Sequence, residues 1–370
     1  MSIAFNTMLL EKAALSLSAI RNKLPGTCRP NKILVTRLEC LGDMVVFLPA
    51  LLALKKTFPS ARITLMVDRD KTGKDIVTGC PYVDRIREIV PENDPTSWGR
   101  FRFFYGVLKE YYDLVVLSTQ EGNFREVLLG GSPLRIGIGG EKYSRLCNIT
   151  VPRNENKSEV ERNLSLVREL TTEEPPVEAE WDLRFLPHLA EFPELVEMIP
   201  SLASKKLIGV HPGAKRPSRM WMPERFSRLI DYFLLKNDTC VLITGAASEK
   251  LIISQIIDGV KSPHARERLI NLCGKTTIPQ MAALLRELDL FICCDTGVMQ
   301  LANALETRMV VLFGPGDIVK WGPTRNRDGT AVVHHPVDCS PCYRFECRDH
   351  KCMKNIKVEE VIRAAEKLLA

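Results

Sequence analysis

Residues 32–68 read KILVTRLECLGDMVVFLPALLALKKTFPSARITLMVD, from Lys32 to Asp68. The apolar, β-branched run Ile33-Leu34-Val35 predicts a buried parallel strand. Arg37–Gly42 turns the chain. A long apolar-faced segment then runs from Asp43 to Phe58, and Pro59-Ser60-Ala61 leads into a second strand at Arg62–Val67. The pattern is a βαβ unit, and open α/β sheets gather ligands beyond the carboxyl ends of their strands. Asp43 stands at the first strand-to-helix crossing. On its own it reads as a helix cap, since aspartate is favoured there and suits the positive helix end.

The same alternation continues on both sides of one break. A helix over Lys71–Cys80 and a strand at Arg85–Val90 precede an aromatic and basic stretch, Pro91–Tyr112, which reads as a helix. The strand Tyr112–Leu117 delivers Gln120 and Arg125, and within Ser132–Gly140 the Gly-x-Gly-Gly run at residues 137–140 reads as turn chemistry because it lacks the strand–glycine–helix context of a dinucleotide fingerprint. Glu159–Leu170 is a predicted helix. Thr171–Pro200, rich in proline and acidic residues, reads as a linker. Strands are then predicted at Lys206–Val210, Cys240–Thr244, Leu290–Cys294 and Met309–Phe313, each opening onto a loop and a helix. The resulting organisation is a basic amphipathic helix over 1–30, a Rossmann-like domain over 31–180, a linker over 181–205, a second Rossmann-like domain over 206–355 and a closing helix over 356–370. The fold class is α/β, with two Rossmann-like domains facing across a cleft.

Composition narrows the function. With 370 residues, 45% hydrophobic and 26% charged, the chain suits a globular protein of two domains. No apolar run approaches a membrane span. The net charge is +6, and much of it sits in residues 1–37, where Lys12, Arg21, Lys23, Arg29, Lys32 and Arg37 oppose Glu11 alone. Such a segment can lie on an anionic membrane surface or pack as an extra helix. No sustained basic stripe or recognition motif points to nucleic acid. Of twelve cysteines, eight are scattered and read as small core residues. Cys339, Cys342, Cys347 and Cys352 form a CxxC-x4-C-x4-C array, whose spacing suits either a thiolate zinc site or disulfides.

Arg37, Leu41-Gly42-Asp43, Pro49, Leu52 and Phe58-Pro59-Ser60-Ala61 together resemble the N-terminal signature of the ADP-heptose:lipopolysaccharide heptosyltransferases, glycosyltransferase family 9. Further blocks resemble the family in order to the end of the chain. The resemblance implies a GT-B fold, inversion at the anomeric carbon, no required metal or other cofactor, and Asp43 as catalytic base. It also implies an ADP-sugar donor and a lipid A–core glycolipid acceptor, at the cytoplasmic face of the inner membrane. Donor contacts are expected from Gly213 and Ala214, Arg219, Glu249, Gly274-Lys275-Thr276, Asp295-Thr296-Gly297 and Gln300. A diphosphate needs backbone N–H groups, a helix N-terminus and a cation, and these loops supply all three. Acceptor contacts are expected from Arg37, Gln120, Arg125 and Arg135. Two departures stand out. Met222 separates Trp221 from Pro223, with Arg219 nearest the family's lysine, and Gln300 replaces the family's usual histidine, so it cannot become cationic. His211 reads as a strand-end residue outside the chemistry.

Overall fold

The computed structural model describes residues 29–69, 71–89, 109–118, 132–140, 147–171, 180–199 and 205–370. The expected N-terminal helix and most of the aromatic stretch lie outside them. The chain divides into two compact units at Phe185/Leu186, inside the stretch assigned above to the linker. That stretch is not featureless, since Leu189–Glu191 and Pro193–Glu197 form short helical turns.

The first unit holds a six-stranded parallel sheet of β1 (Lys32–Thr36), β2 (Arg62–Asp68), β3 (Arg85–Ile89), β4 (Leu114–Leu117), β5 (Leu134–Ile138) and β6 (Ile149–Val151), in the order β3-β2-β1-β4-β5-β6. The second repeats the plan with β7 (Lys206–His211), β8 (Thr239–Ile243), β9 (Leu269–Asn271), β10 (Leu290–Cys294), β11 (Met309–Phe313) and β12 (Thr330–His334), ordered β12-β11-β10-β7-β8-β9. Two parallel-sheet Rossmann-like α/β domains are thus present. Central strands are apolar on both faces because helices cover both, and β10 is buried throughout. Matching devices set the register. Asp113, just ahead of β4, accepts from the Lys32 amide at 2.9 Å, and Asp289, just ahead of β10, accepts from the Leu207 amide at 2.8 Å.

The strand orders decide where a site can form. Connections run β1→β2→β3 to one side and β4→β5→β6 to the other, so the direction reverses between β1 and β4. In the second unit it reverses between β7 and β10. Loops diverge at such switch points and leave a crevice beyond the strand ends. Asp43 follows β1. Gly213 follows β7, and Asp295 follows β10.

Three readings of the sequence need correcting. The segment from Asp43 to Phe58 is two helices, Leu41–Val45 and Leu48–Thr57. Pro49 has no N–H to continue a helix through Val45 and instead starts a new one. The Gly-x-Gly-Gly run at residues 137–140 is only partly turn, because the strand Leu134–Ile138, which pairs in register with both β4 and β6, takes in its first two residues. Gly137 lies within that strand, where a methyl group would come 2.9 Å from the Cys147 sulfur, and only Gly140, with φ of +81°, does turn work. The short strands β6 and β12 were not anticipated, and both are sheet edges with weak apolar patterns.

Candidate functional site

In the first unit the site grows from Arg37. The residue leaves β1 at the switch point, and its side chain is 1% exposed. Its Nε donates to the Asp43 carbonyl at 3.1 Å, and Nη1 donates to the Ser118 carbonyl beyond β4 at 2.5 Å. Nη2 stands 3.6 Å from Oδ1 of Asp43 and 4.0 Å from Oε1 of Glu159, while Nε is 3.6 Å from Glu39. The guanidinium also lies over the Phe47 ring. Arg37 was expected to touch the acceptor, yet it is buried and fully engaged within the protein, bridging the two strands that flank the crevice.

Asp43 is the member of this group that reaches solvent, its side chain 29% exposed against 2% for Glu159. It sits in the first turn of Leu41–Val45, but Cys40 is the N-cap and no side chain caps that helix. The plain cap reading therefore fails. Its pKa is raised: burial comes first, Arg37 pulls the other way, and Glu39 and Glu159 add repulsion. A helix N-terminus and Arg37 favour the carboxylate, but burial outweighs them, and the two neighbouring glutamates add to it.

Glu159 and Arg162 open the helix Glu159–Arg168, which Ser158 caps by accepting from the Glu161 amide. Both are almost fully buried and pair at 3.1 Å, and Arg162 Nε and Nη2 find no acceptor. Asn163 reaches the Val46 carbonyl and holds this helix against the Asp43 segment. Neither Glu39 nor Glu159 was singled out in the sequence. Nothing in their spacing marks them, because the grouping is tertiary. Arg135 is buried in β5 and donates to the Ser132 carbonyl at 2.6 Å. Gln120 and Arg125 lie outside the described residues.

In the second unit the expected donor loops do converge. Beyond β8, Glu249 accepts from the Ala246 amide at 2.7 Å. A methyl group on Gly213 would collide with Oε1 of Glu249, and one on Gly245 would come 3.0 Å from Oε2. Gly274 donates to the Gly245 carbonyl at 2.8 Å with φ of +68°, a conformation suited to glycine. Lys275 is exposed and Thr276 half-buried beside it. The ends of β7 and β8 thus pack against one carboxylate, whose pKa burial raises and the Ala246 amide lowers.

Arg219 and Asp295 meet beyond β7 and β10, with Nη1 3.2 Å from Oδ2. Asp295 is 4% exposed, and Oδ2 has no hydrogen-bond partner. Gly316 lies directly behind that oxygen, leaving no room for a methyl group. Burial raises the Asp295 pKa against the pull of Arg219 and Arg216. Thr296 caps the helix Gly297–Ala304 by accepting from the Met299 amide. Gln300 is buried, and its amide donates to the Trp321 carbonyl at 2.7 Å, so at this position the side chain ties the helix Gly297–Ala304 to the end of Ile318–Trp321.

The cysteine array adjoins the segment that carries Arg219. All four thiols are free, and among the described residues no group of three or more His, Cys, Asp or Glu is placed to hold a metal. Bonds to backbone carbonyls secure the loop. Ser218 Oγ donates to the Arg344 carbonyl at 2.6 Å, and Arg216 donates to the Tyr343 carbonyl at 3.0 Å, which fixes the approach to Arg219.

His211 is the last residue of β7 and is buried. Its Nδ1 lies 3.0 Å from Thr244 Oγ1, and burial pushes its pKa down to about 4 from 6.5. Folding favours the neutral ring, so this stability is complete above pH 6.5 and is lost as pH falls towards 4, by roughly 3 kcal/mol. His211→Gln should flatten the acid side of the melting-temperature curve over that interval.

Residues 100–353 match the model of glycosyltransferase family 9 (heptosyltransferase), which is well over half of the chain. The chain belongs to glycosyltransferase family 9. Among family members, lipooligosaccharide heptosyltransferase 2 of Campylobacter jejuni is 33% identical over 168 residues, covering 45% of this chain and 51% of its own. The chain thus spans about half the length of that relative. Lipopolysaccharide heptosyltransferase 3 of Escherichia coli is 25% identical over 354 residues, covering 89% of this chain and 95% of its own. An E. coli heptosyltransferase solved with ADP shares the fold at a TM-score of 0.70 and 17% identity, covering 91% of this chain and 99% of that one. Among the described residues no helix is long and apolar enough to cross a membrane.

Proposed function

We propose that this protein transfers a heptose from an ADP-activated donor to a lipopolysaccharide core acceptor, with inversion at the anomeric carbon. The observation that carries the reading is Asp43, a partly exposed carboxylate at the β1/β4 switch point in a chain of this family. Asp43 takes the proton of the acceptor hydroxyl as its oxygen bonds to the anomeric carbon. The sugar–phosphate bond breaks, and ADP leaves with the electron pair. Arg219 and the N-terminus of the helix Gly297–Ala304 supply positive potential for the departing diphosphate. No metal is needed for that charge, and excess chelator should leave turnover unchanged.

Glu249 is placed to accept hydroxyl groups of the nucleotide ribose, and Gly274–Thr276 to line the base. The heptosyltransferase solved with ADP supports the choice of nucleotide. The acceptor is an anionic glycolipid, to which the basic N-terminal segment is suited, and the protein works at the inner face of the inner membrane. The test is to incubate the protein with a panel of nucleotide sugars and truncated lipopolysaccharide acceptors and weigh the products. A mass gain of one heptose, from ADP-heptose alone, is expected. ADP binding with no product from any pair would overturn the reading and leave a nucleotide-sugar-binding protein.

The packing of Glu249 on Gly213 gives a sharper check. Gly213→Ala should push the carboxylate off the Ala246 amide and weaken ADP binding roughly tenfold. Glu249→Ala should cost about the same, and the double variant no more than either, because one contact is removed twice. Calorimetric titration with ADP reads all three.

A further inference from the structure

We propose that Arg37 and Glu159 are positioning residues for Asp43: the guanidinium holds the aspartate by both backbone and side chain, and Glu159 draws on the same cation, so the solvent-facing carboxylate is only partly neutralised. The inference rests on the reading of Asp43 as the base and assigns it the machinery that sets its direction and its charge.

The geometry is specific. Arg37 spans the switch point from the Asp43 carbonyl to the Ser118 carbonyl, and Nη2 lies between Oδ1 of Asp43 and Oε1 of Glu159. Three carboxylates, Glu39, Asp43 and Glu159, therefore surround one cation, and the second cation, Arg162, is committed to Glu159 at 3.1 Å. The helix Gly73–Val77, which packs against Leu41–Val45, adds Asp75 and Lys74, and Lys74 is paired with Glu88 at 2.6 Å. Ser118 adds only its carbonyl. Of the three carboxylates around Arg37, Asp43 is the one most open to water.

Two consequences follow. Removing the charge of Glu159 leaves more of Arg37 for Asp43, so the carboxylate forms at lower pH. Replacing Arg37 by lysine keeps the charge but loses the planar fork that reaches two carbonyls and a carboxylate together. Orientation suffers more than ionisation, so kcat should fall about tenfold with little change in KM for the donor.

The experiment uses the full chain, with kcat/KM measured against pH for the wild type, Glu159→Gln and Arg37→Lys. In parallel, carboxyl-labelled aspartate is titrated by carbon NMR, with Asp43→Asn identifying the Asp43 resonance. Glu159→Gln is expected to lower the Asp43 midpoint by about one pH unit in both readouts. An unmoved resonance midpoint overturns the proposal. Should Glu159→Gln fail to fold because it strands Arg162, Glu39→Gln is read in its place, with the same downward shift expected. The NMR arm does not depend on turnover. Full activity in Asp43→Asn would remove Asp43 as the base, whereas a static resonance would remove the clamp alone.

Discussion

Asp43→Asn should fold, bind ADP with unchanged affinity and lose turnover by about 10² to 10⁴, the usual effect of removing a general base. Asparagine keeps the size of the side chain and its place in the first turn but takes no proton. Stability supplies a second readout of opposite sign. Because the folded protein raises the pKa of Asp43, folding favours the protonated form, and that contribution is lost as pH rises above the ordinary aspartate range. At neutral pH the ionised carboxylate weakens the fold, so the neutral variant should melt at the same temperature or slightly higher. The acid limb of wild-type kcat/KM should likewise have its midpoint above the ordinary aspartate range. Near-full activity in Asp43→Asn would mean that the base lies elsewhere.

How far the sequence could be read follows from the kind of signal each feature leaves. The parallel strands at the centre of both sheets are continuous apolar runs, visible because both faces are covered, and β10 and β11 have the bounds expected from their residues. The loops that follow them were legible as chemistry because small and polar residues interrupt an apolar pattern at a strand end. Edge strands such as β12 carry no such contrast. The helix break at Pro49 was legible in principle, since proline at the start of a helix is a local rule, but the apolar face on either side concealed it.

What could not be read was the environment of the charges. Arg37 looked like a surface cation ready for a ligand, and only the register of β1 beside β4 buries it between Ser118 and Asp43. Glu159 lies more than a hundred residues from Asp43 in sequence and reaches it through the packing of Glu159–Arg168 on the Asp43 segment. Nor could the sequence show that the Gln300 amide nitrogen donates to the Trp321 carbonyl. Sequence gives the types of charge available. Burial and partners decide what they do.

Arg219→Ala should weaken ADP binding and destabilise the second unit together, and the two effects separate by pH. Arg219 is the cation nearest Asp295, and Asp295 is buried with Oδ2 accepting no hydrogen bond. Removing one member of a buried pair leaves the other charge uncompensated, at a typical cost of about 3 to 5 kcal/mol. Burial already raises the Asp295 pKa despite the arginine, so without it the pKa rises further. The folded variant then favours protonated Asp295, and its stability declines as pH rises from the ordinary aspartate range towards the new, higher pKa. The deficit against wild type should accordingly be large at pH 7 and shrink near pH 4. Adding Asp295→Asn should restore much of the melting temperature, because the stranded charge is gone, without restoring ADP affinity, because the diphosphate still lacks its cation. Recovery of both would show that Arg219 acts only by holding Asp295. Unchanged calorimetric affinity for ADP in Arg219→Ala would place the diphosphate away from the β7/β10 switch point.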